Sequence, residues 1–600
     1  MSGSRREFLF NSAAVLAVGA CSRPVSAATV PDERLEKLFD TLFESVLEIS
    51  PQLTVTLGRD SGALVRSRLH LDDETPDGQA RRASTVAAIL ADLRKFDPSD
   101  LSLRGRLDYE AVLFSVRAEA IARERFTFGR VDRRISPYVV NHLAGSYLDA
   151  PEFISSTRPL PDSNELEVYV SRLRDFARNL EGESERIRRD ESAGVVPPDF
   201  ILERTLSRMH SQQDKLATRS IFLSLDPGPS AQDPGTSAHD IIEKELMPTL
   251  ARQISLIESL RARASADAGL RRLKNWDDCY SAALRIGAAT EPNVSEFHRE
   301  GTAEVHDLNA HADRLLRKIG LKRGPVGQRL RSLAGEDRYL YPDNDAGKER
   351  AVADMNARLR AIIPALQPLF KTAINTNIEV RRLTASEELA GRIGYRVAPS
   401  ADGTRPGVYF VDLHAIRDRP IWSLPSVTYH ETLPGHLLQL PRQEAAKLHP
   451  LRQQLTPRGY SEGWAIYAET LAQQIGVYHD DPLSEIGYLQ SRLFRVARML
   501  VDIGIHVSGW SRAQAIHTLI EMTAQPQNLC ETDVDRYFVQ PGMIGGDEIG
   551  YYGWRAARTR ACGNAARKYD LASFHDQCLK FGPLPQALLE RALFANSDTG

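Results

Sequence analysis

Between residues 33 and 380 apolar side chains recur at intervals of three and four with charged faces between them, as in LEKLFDTLFESVLEI (35–49) and VADMNARLRAIIPALQPLF (352–370). That period turns one stripe of each segment toward a core, so the body must be built from amphipathic helices. The chain has 600 residues, more than one small core needs, which predicts two or more domains or one large helical body. No repeat of fixed period runs through it, which argues against a solenoid.

Near residue 392 the texture changes. RIGYRVAPSADGTRPGVYFVDL (392–413) holds two short runs rich in aromatic and β-branched residues, IGYRV and GVYFV, separated by Pro, Gly, Asp and Ser. They predict two strands of a small sheet. Tyr409 in the second is a candidate for substrate contact, and an edge strand there could align an extended peptide by main-chain hydrogen bonds; a plain surface hairpin is the alternative. The segment SLDPGPSAQDPGTSAHD (224–240) reads as a flexible surface loop. The expected organisation is a helical region over 28–390 continuous with a second region over 391–600.

The first thirty residues stand apart. Ser4-Arg5-Arg6-Glu7-Phe8-Leu9, then a mildly apolar run to Ala20, resembles a twin-arginine export signal and is set aside from the fold. The apolar run is too short for a permanent membrane span. Two processing sites compete: Val18-Gly19-Ala20-Cys21 resembles a lipobox that would acylate Cys21, and Val25-Ser26-Ala27 suits cleavage after Ala27. The expected location is the periplasm or the cell exterior, soluble or lipid-anchored. Beyond the signal Cys279, Cys530, Cys562 and Cys578 form no C-x-x-C pair, which excludes a cysteine metal site and leaves one disulfide among the last three open. A formal charge of −3, with no basic run interleaved with aromatics, gives nucleic acid no electrostatic footing. Nothing in the sequence fixes the oligomeric state.

VTYHETLPGHLLQL (427–440) begins like the H-E-x-x-H helix of a zinc peptidase, yet its second histidine stands six positions after the first. A zinc site of that kind needs two neutral imidazoles, a carboxylate and a base for the attacking water. Residues six apart on an unbroken helix lie about 120° around and about 9 Å along the axis, so His430 and His436 could not share an ion. The insertion contains Pro434-Gly435, the pair most able to interrupt a helix. A bulge extruding both restores a spacing of four. The bland alternative is a pair of structural histidines at a helix end.

Downstream, GYSEGWAIYAETLAQQIG (459–476) predicts a helix with Glu462 and Glu469 seven apart on one face. Acidic groups on an apolar, Trp- and Tyr-rich helix are costly to bury unless paired or bound to a cation. Glu462 is the candidate third ligand. Glu469 is either a partner of a ligand histidine or a solvated side chain. In RVARMLVDIGIHVSGW (495–510), Arg498, Asp502 and His506 form one polar stripe that could orient a catalytic imidazole or receive a substrate carboxylate. A buried ion-pair ladder would give the same pattern.

Together YHETLPGHLLQ, SEGWAIYAETLAQQIGVY and RVARMLVDIGIHVSGWSRAQAI resemble, in order and spacing, the bacterial family known as domain of unknown function 885. FHREGTAEVHDL, RPGVYFVDL and ESAGVVPPDF also resemble it, so the likeness spans about residues 35–595. The resemblance implies a mainly α, two-lobed zincin-like metallopeptidase fold with a small active-site β-sheet. It also implies one Zn²⁺ per chain on His430, His436 and Glu462, with Glu431 as general base.

One stretch departs from the family. A Pro-Gly-Gln-Ala segment followed by a tyrosine is usual there, whereas VQPGMIGGDEIGYYGWRAART (539–559) has Met543 for the glutamine and Asp547 in the tyrosine's place. Tyr551 and Tyr552 could act from shifted positions; otherwise oxyanion stabilisation falls to His506 or an arginine. The expected function is an exported zinc metallopeptidase hydrolysing short peptides through water deprotonated by Glu431. The alternatives are a catalytically weakened metal-binding envelope protein with a binding or scaffold role, and a non-haem iron enzyme, since two histidines and a carboxylate suit that ion too.

Overall fold

The computed structural model describes residues 30–132, 135–157, 165–217, 238–389, 392–400, 402–563 and 570–594. The export signal, Cys21 and most of the 224–240 loop lie outside these residues. The structure is 71% helical with one three-stranded sheet, which makes the fold class mainly α with a small sheet. No described helix is long and apolar enough to cross a membrane.

The described residues divide into two compact units, one within 98–115 and 280–594, the other within 30–97 and 116–279. In the latter, helices Glu165–Ser192, Asp199–Ala217 and Met247–Arg261 bury Leu173, Phe176, Leu180, Leu202, Leu206, Leu250 and Ile254 in one core. The candidate site belongs to the former unit, and residues 280–390 pack with the motif-bearing helices.

That unit contains α1 (Val294–Lys318), β1 (Ile378–Arg382), β2 (Tyr395–Val397), β3 (Gly407–Val411), α2 (Leu424–Glu431), α3 (His436–Ala445), α4 (Arg458–Gln474), α5 (Pro482–His506), α6 (Gln527–Val539) and α7 (Gly545–Cys562). The strand order is β1-β3-β2, with β1 parallel and β2 antiparallel to β3. The two strands expected from sequence are present. β1, IEVRR, falls in the stretch read as helical; its β-branched residues are too few for alternation to stand out, and pairing with β3 decides its conformation.

α5 is started by Asp481, whose side chain accepts from the Ser484 amide at 3.1 Å, with Pro482 opening the first turn. Close approach of helices depends on glycine at two crossings. A Cβ on Gly550 of α7 would lie 1.9 Å from the Gly459 carbonyl oxygen of α4, and one on Gly301 of α1 would lie 2.6 Å from Cε of Met499 on α5. The first contact brings Asp547 beside α4. The second lets Glu304 of α1 meet Arg492 of α5 at 2.6 Å.

The described cysteines Cys279, Cys530, Cys562 and Cys578 are free thiols, so no pair among them forms the disulfide that the sequence left open.

Candidate metal centre

α2 stops at Glu431, the Leu433–Pro434 peptide is cis, and α3 begins at His436. Pro434-Gly435 therefore does not bulge out of one continuous helix, as the sequence reading supposed. It separates two helices: the i→i−4 ladder of α2 ends at the Thr432 amide, that of α3 starts at the Gly435 carbonyl, and the break is spanned by the Leu437 amide donating to the Thr432 carbonyl at 3.2 Å. Gly435 is required by crowding: a Cβ there would lie 1.9 Å from the carbonyl oxygen of His430. Trp464 of α4 ties the break down, donating from Nε1 to the carbonyls of Pro434 at 3.1 Å and Gly435 at 3.3 Å. The last turn of α2 and the first of α3 thus face each other. The rings of His430 and His436 stand 5.1 Å apart at 83°.

Glu462 closes the group from α4. Its Oε2 is 3.6 Å from Nε2 of His430 and 3.8 Å from Nε2 of His436. One ligand atom from each of the three residues lies within 4.8 Å of the others. A tetrahedral ion at ordinary zinc distances sets its donors about 3.4 Å apart, so the cluster needs only a small contraction. Nε2 of His436 is buried without a hydrogen-bond partner, an arrangement that costs stability unless something else satisfies the nitrogen. Two imidazoles and one carboxylate converging on an orphaned nitrogen fit a borderline ion such as zinc.

Electrostatics at the site follow from these contacts. Burial, with the charge of Arg396, pushes His436 down to about 3 against the pull of Glu462, which keeps its imidazole neutral. Burial and Arg495 depress His430, but hydrogen bonding to Glu462 and Glu469 outweighs them and raises it. Burial penalises the Glu462 carboxylate, yet Arg458 and the two histidines hold it well below the usual range.

Glu469 is wholly buried, which removes the solvated alternative. Its Oε1 lies 2.9 Å from Nδ1 of His430, and its Oε2 accepts from Ser426 and, at 2.8 Å, from Ser491. A carboxylate behind a ligand histidine fixes the tautomer, so Nδ1 carries the proton and Nε2 turns to the cluster. Burial raises its carboxyl, but His430, Arg495 and Ser426 prevail and bring it to about 2.

Three arginines that the sequence did not single out border the centre: Arg458, 3.9 Å from Glu462, and Arg495 and Arg396. Nη2 of Arg495 lies 3.3 Å from Nδ1 of His430 and 3.5 Å from Nε2, and Nε of Arg396 lies 3.2 Å from Oε2 of Glu431. Arg495 was legible in part, since Ser491 and Arg495 are four apart on α5 and form the stripe that faces Glu469. Arg498, Asp502 and His506 continue the same face of α5 toward its C-terminus.

Those three lie further along the helix. His506 sits about 16 Å along the axis from Arg495. It is fully buried, its Nε2 is 3.1 Å from the Tyr537 carbonyl oxygen, and its ring stacks on Tyr280. Asp502 accepts from Tyr280 at 2.7 Å and from the Gly542 amide at 3.0 Å. Arg498 forks onto Asp533 at 2.7 and 2.9 Å. The three residues are packing and ion-pair elements that hold α6 and the Pro541-Gly542 turn, not groups that reach the cluster of His430, His436 and Glu462.

Tyr551 and Tyr552 are likewise not brought to the centre. Tyr551 packs under the Arg492 guanidinium at 4.1 Å, and Tyr552 under Arg555 at 4.8 Å. Asp547 instead takes Arg458 in a two-pronged bridge of 2.7 and 2.9 Å, and Arg458 in turn stands 3.9 Å from Glu462. Tyr409 is buried on β3, where burial and then the charge of Glu431 raise its phenol.

A family model described as "Bacterial protein of unknown function (DUF885)" matches residues 51–593. The crystal structure of a "putative lipoprotein" from Colwellia psychrerythraea superposes with a TM-score of 0.82 at 24% identity, covering 95% of this chain and 100% of that one. A second, a "putative lipoprotein of unknown function" from Shewanella oneidensis, superposes with a TM-score of 0.72 at 16% identity over 94% and 99%. These likenesses concern the fold. No curated protein matches.

Proposed function

The chain belongs to the DUF885 family of bacterial proteins of unknown function, and we propose that it acts as an exported, zinc-dependent metallopeptidase on short peptides. One observation carries the reading: His430, His436 and Glu462 converge within 4.8 Å, with Glu431 next in sequence to the first of them. His430 and His436, through their Nε2 atoms, and Glu462 would hold the ion. When bound, it would supply Lewis acidity that activates water and polarises a carbonyl.

The chain's own groups supply the rest. Glu469 keeps the His430 proton on Nδ1, and Arg458, itself held by Asp547, steadies Glu462. Glu431 would take a proton from the attacking water on a carboxylate oxygen and hand it to the departing amine. The N-terminal sequence supports export, and the description of the two solved neighbours as lipoproteins agrees with an anchor at Cys21.

A second reading has an observation of its own. Asp547 stands where the family resemblance places a tyrosine, and neither Tyr551 nor Tyr552 replaces it, which favours a metal-binding envelope protein with little turnover. A Glu431→Gln variant separates the two. The peptidase reading expects it to keep zinc and lose cleavage of a peptide library by at least about 100-fold, the scale of a lost general base. Zinc-loaded wild type with no cleavage at all would leave the binding role.

A further inference from the structure

One arginine beside the centre is paired to the candidate base. Arg396 stands on β2, at the edge of the sheet, directly opposite Tyr409 of β3. Side chains of residues so paired project from the same face, and Glu431 lies on that face, 3.2 Å from Arg396. Arg396 and Glu431 remain 15% and 19% exposed, against 5% and 3% for the side chains of His430 and His436.

The other two arginines of the site are committed to structure. Arg458 is forked onto Asp547, and Arg495 lies against both Glu469 and His430. Arg396 pairs with the carboxylate that the proposed reaction must turn toward substrate. Exchanging one carboxylate for another leaves the guanidinium paired, so the substitution costs little.

We propose that Arg396 determines specificity by receiving the C-terminal carboxylate of the substrate in place of Glu431, which makes the protein a carboxypeptidase that removes one residue at a time. This rests on the metallopeptidase reading. The C-terminal peptide bond is hydrolysed: the water oxygen bonds to the carbonyl carbon, the C–N bond breaks, and the amine leaves with a proton as a free amino acid. Placement agrees, because a single residue separates that carbonyl from the terminal carboxylate, and Arg396 lies directly beside the carboxylate that would serve the carbonyl. The planar guanidinium fork suits a carboxylate, whereas an internal cleavage site would set a neutral amide against it.

The test compares three peptides of one sequence: the free acid, the C-terminal amide, and an amide ending in glutamate. Cleavage by the zinc-loaded chain is followed by mass spectrometry, and binding to the metal-free chain by calorimetry. Wild type is expected to shorten the free acid by single residues and to prefer it to both amides at least about 10-fold in each assay. Arg396→Gln should lose about 10- to 100-fold on the free acid, with part recovered in Arg396→Lys, whose melting temperature controls for folding. Equal handling of acid and amide, an acid preference that survives Arg396→Gln, or a glutamyl amide as good as the free acid would each overturn the proposal. If no peptide is cleaved, the metallopeptidase reading fails. Binding then judges Arg396 alone: a free-acid preference lost in Arg396→Gln upholds carboxylate recognition, and its absence overturns it.

Discussion

Oε1 of Glu469 lies 2.9 Å from Nδ1 of His430, although the two residues belong to different helices and are 39 positions apart. The contact decides which nitrogen of His430 is left for a metal. Removing the carboxylate in Glu469→Gln keeps the shape but loses the charge, and should weaken zinc binding about 10- to 100-fold. Competition against a chromogenic chelator reads this directly.

Gly435 is fixed by space rather than by chemistry. Gly435→Ala would drive a methyl against the His430 carbonyl oxygen, 1.9 Å away, so the α2–α3 break must open. Loss of stoichiometric zinc and a clear drop in melting temperature are expected. Trp464→Phe, which keeps a ring but removes the donor to Pro434 and Gly435, should have a milder effect in the same direction, about 1 kcal/mol in stability.

Asp547 stands where the family resemblance places a tyrosine. Asp547→Ala would strip Arg458 of a two-pronged partner in a mostly buried setting, and breaking such a pair costs on the order of 3 kcal/mol. Urea denaturation of the metal-free chain measures it. Since Arg458 also faces Glu462 at 3.9 Å, zinc affinity should fall in the same variant.

Asp502 gives a pH signature. Burial raises its carboxyl to about 7, against the lowering influence of Tyr280 and the Gly542 amide. Its folded value thus lies above the ordinary 3.8, so the folded state binds the proton more tightly. The associated stability is full below about 3.8 and is lost as pH rises through about 7. Asp502→Asn should remove that dependence, leaving the chain more stable than wild type at pH 8 by thermal melting, with peptide cleavage unchanged.

Much of the site was legible before the fold. His430, Glu431, His436, Glu462 and Glu469 stand out because polar groups at fixed spacing on apolar helices need partners, and the pairing with Glu469 resolves an ambiguity that spacing left open. What could not be read is how the helices face one another. All five of Ser491, Arg495, Arg498, Asp502 and His506 lie on one face of α5, and it is the level at which α2 and α4 cross that face that decides that Ser491 and Arg495 meet the centre while the other three lie further along the axis. Arg396 was hidden for a different reason, since its meaning depends on β2 lying at the sheet edge beside α2. β1 was absorbed into the helical reading because its conformation is set by a partner strand 29 residues away.

The central claim is that His430, His436 and Glu462 form one metal centre. Elemental mass spectrometry of the purified chain, beside its His436→Ala variant, tests it most directly. Close to one zinc per chain in the wild type, lost in the variant, is the predicted result; a wild type that takes up no zinc, or a variant that keeps it in full, would contradict the account.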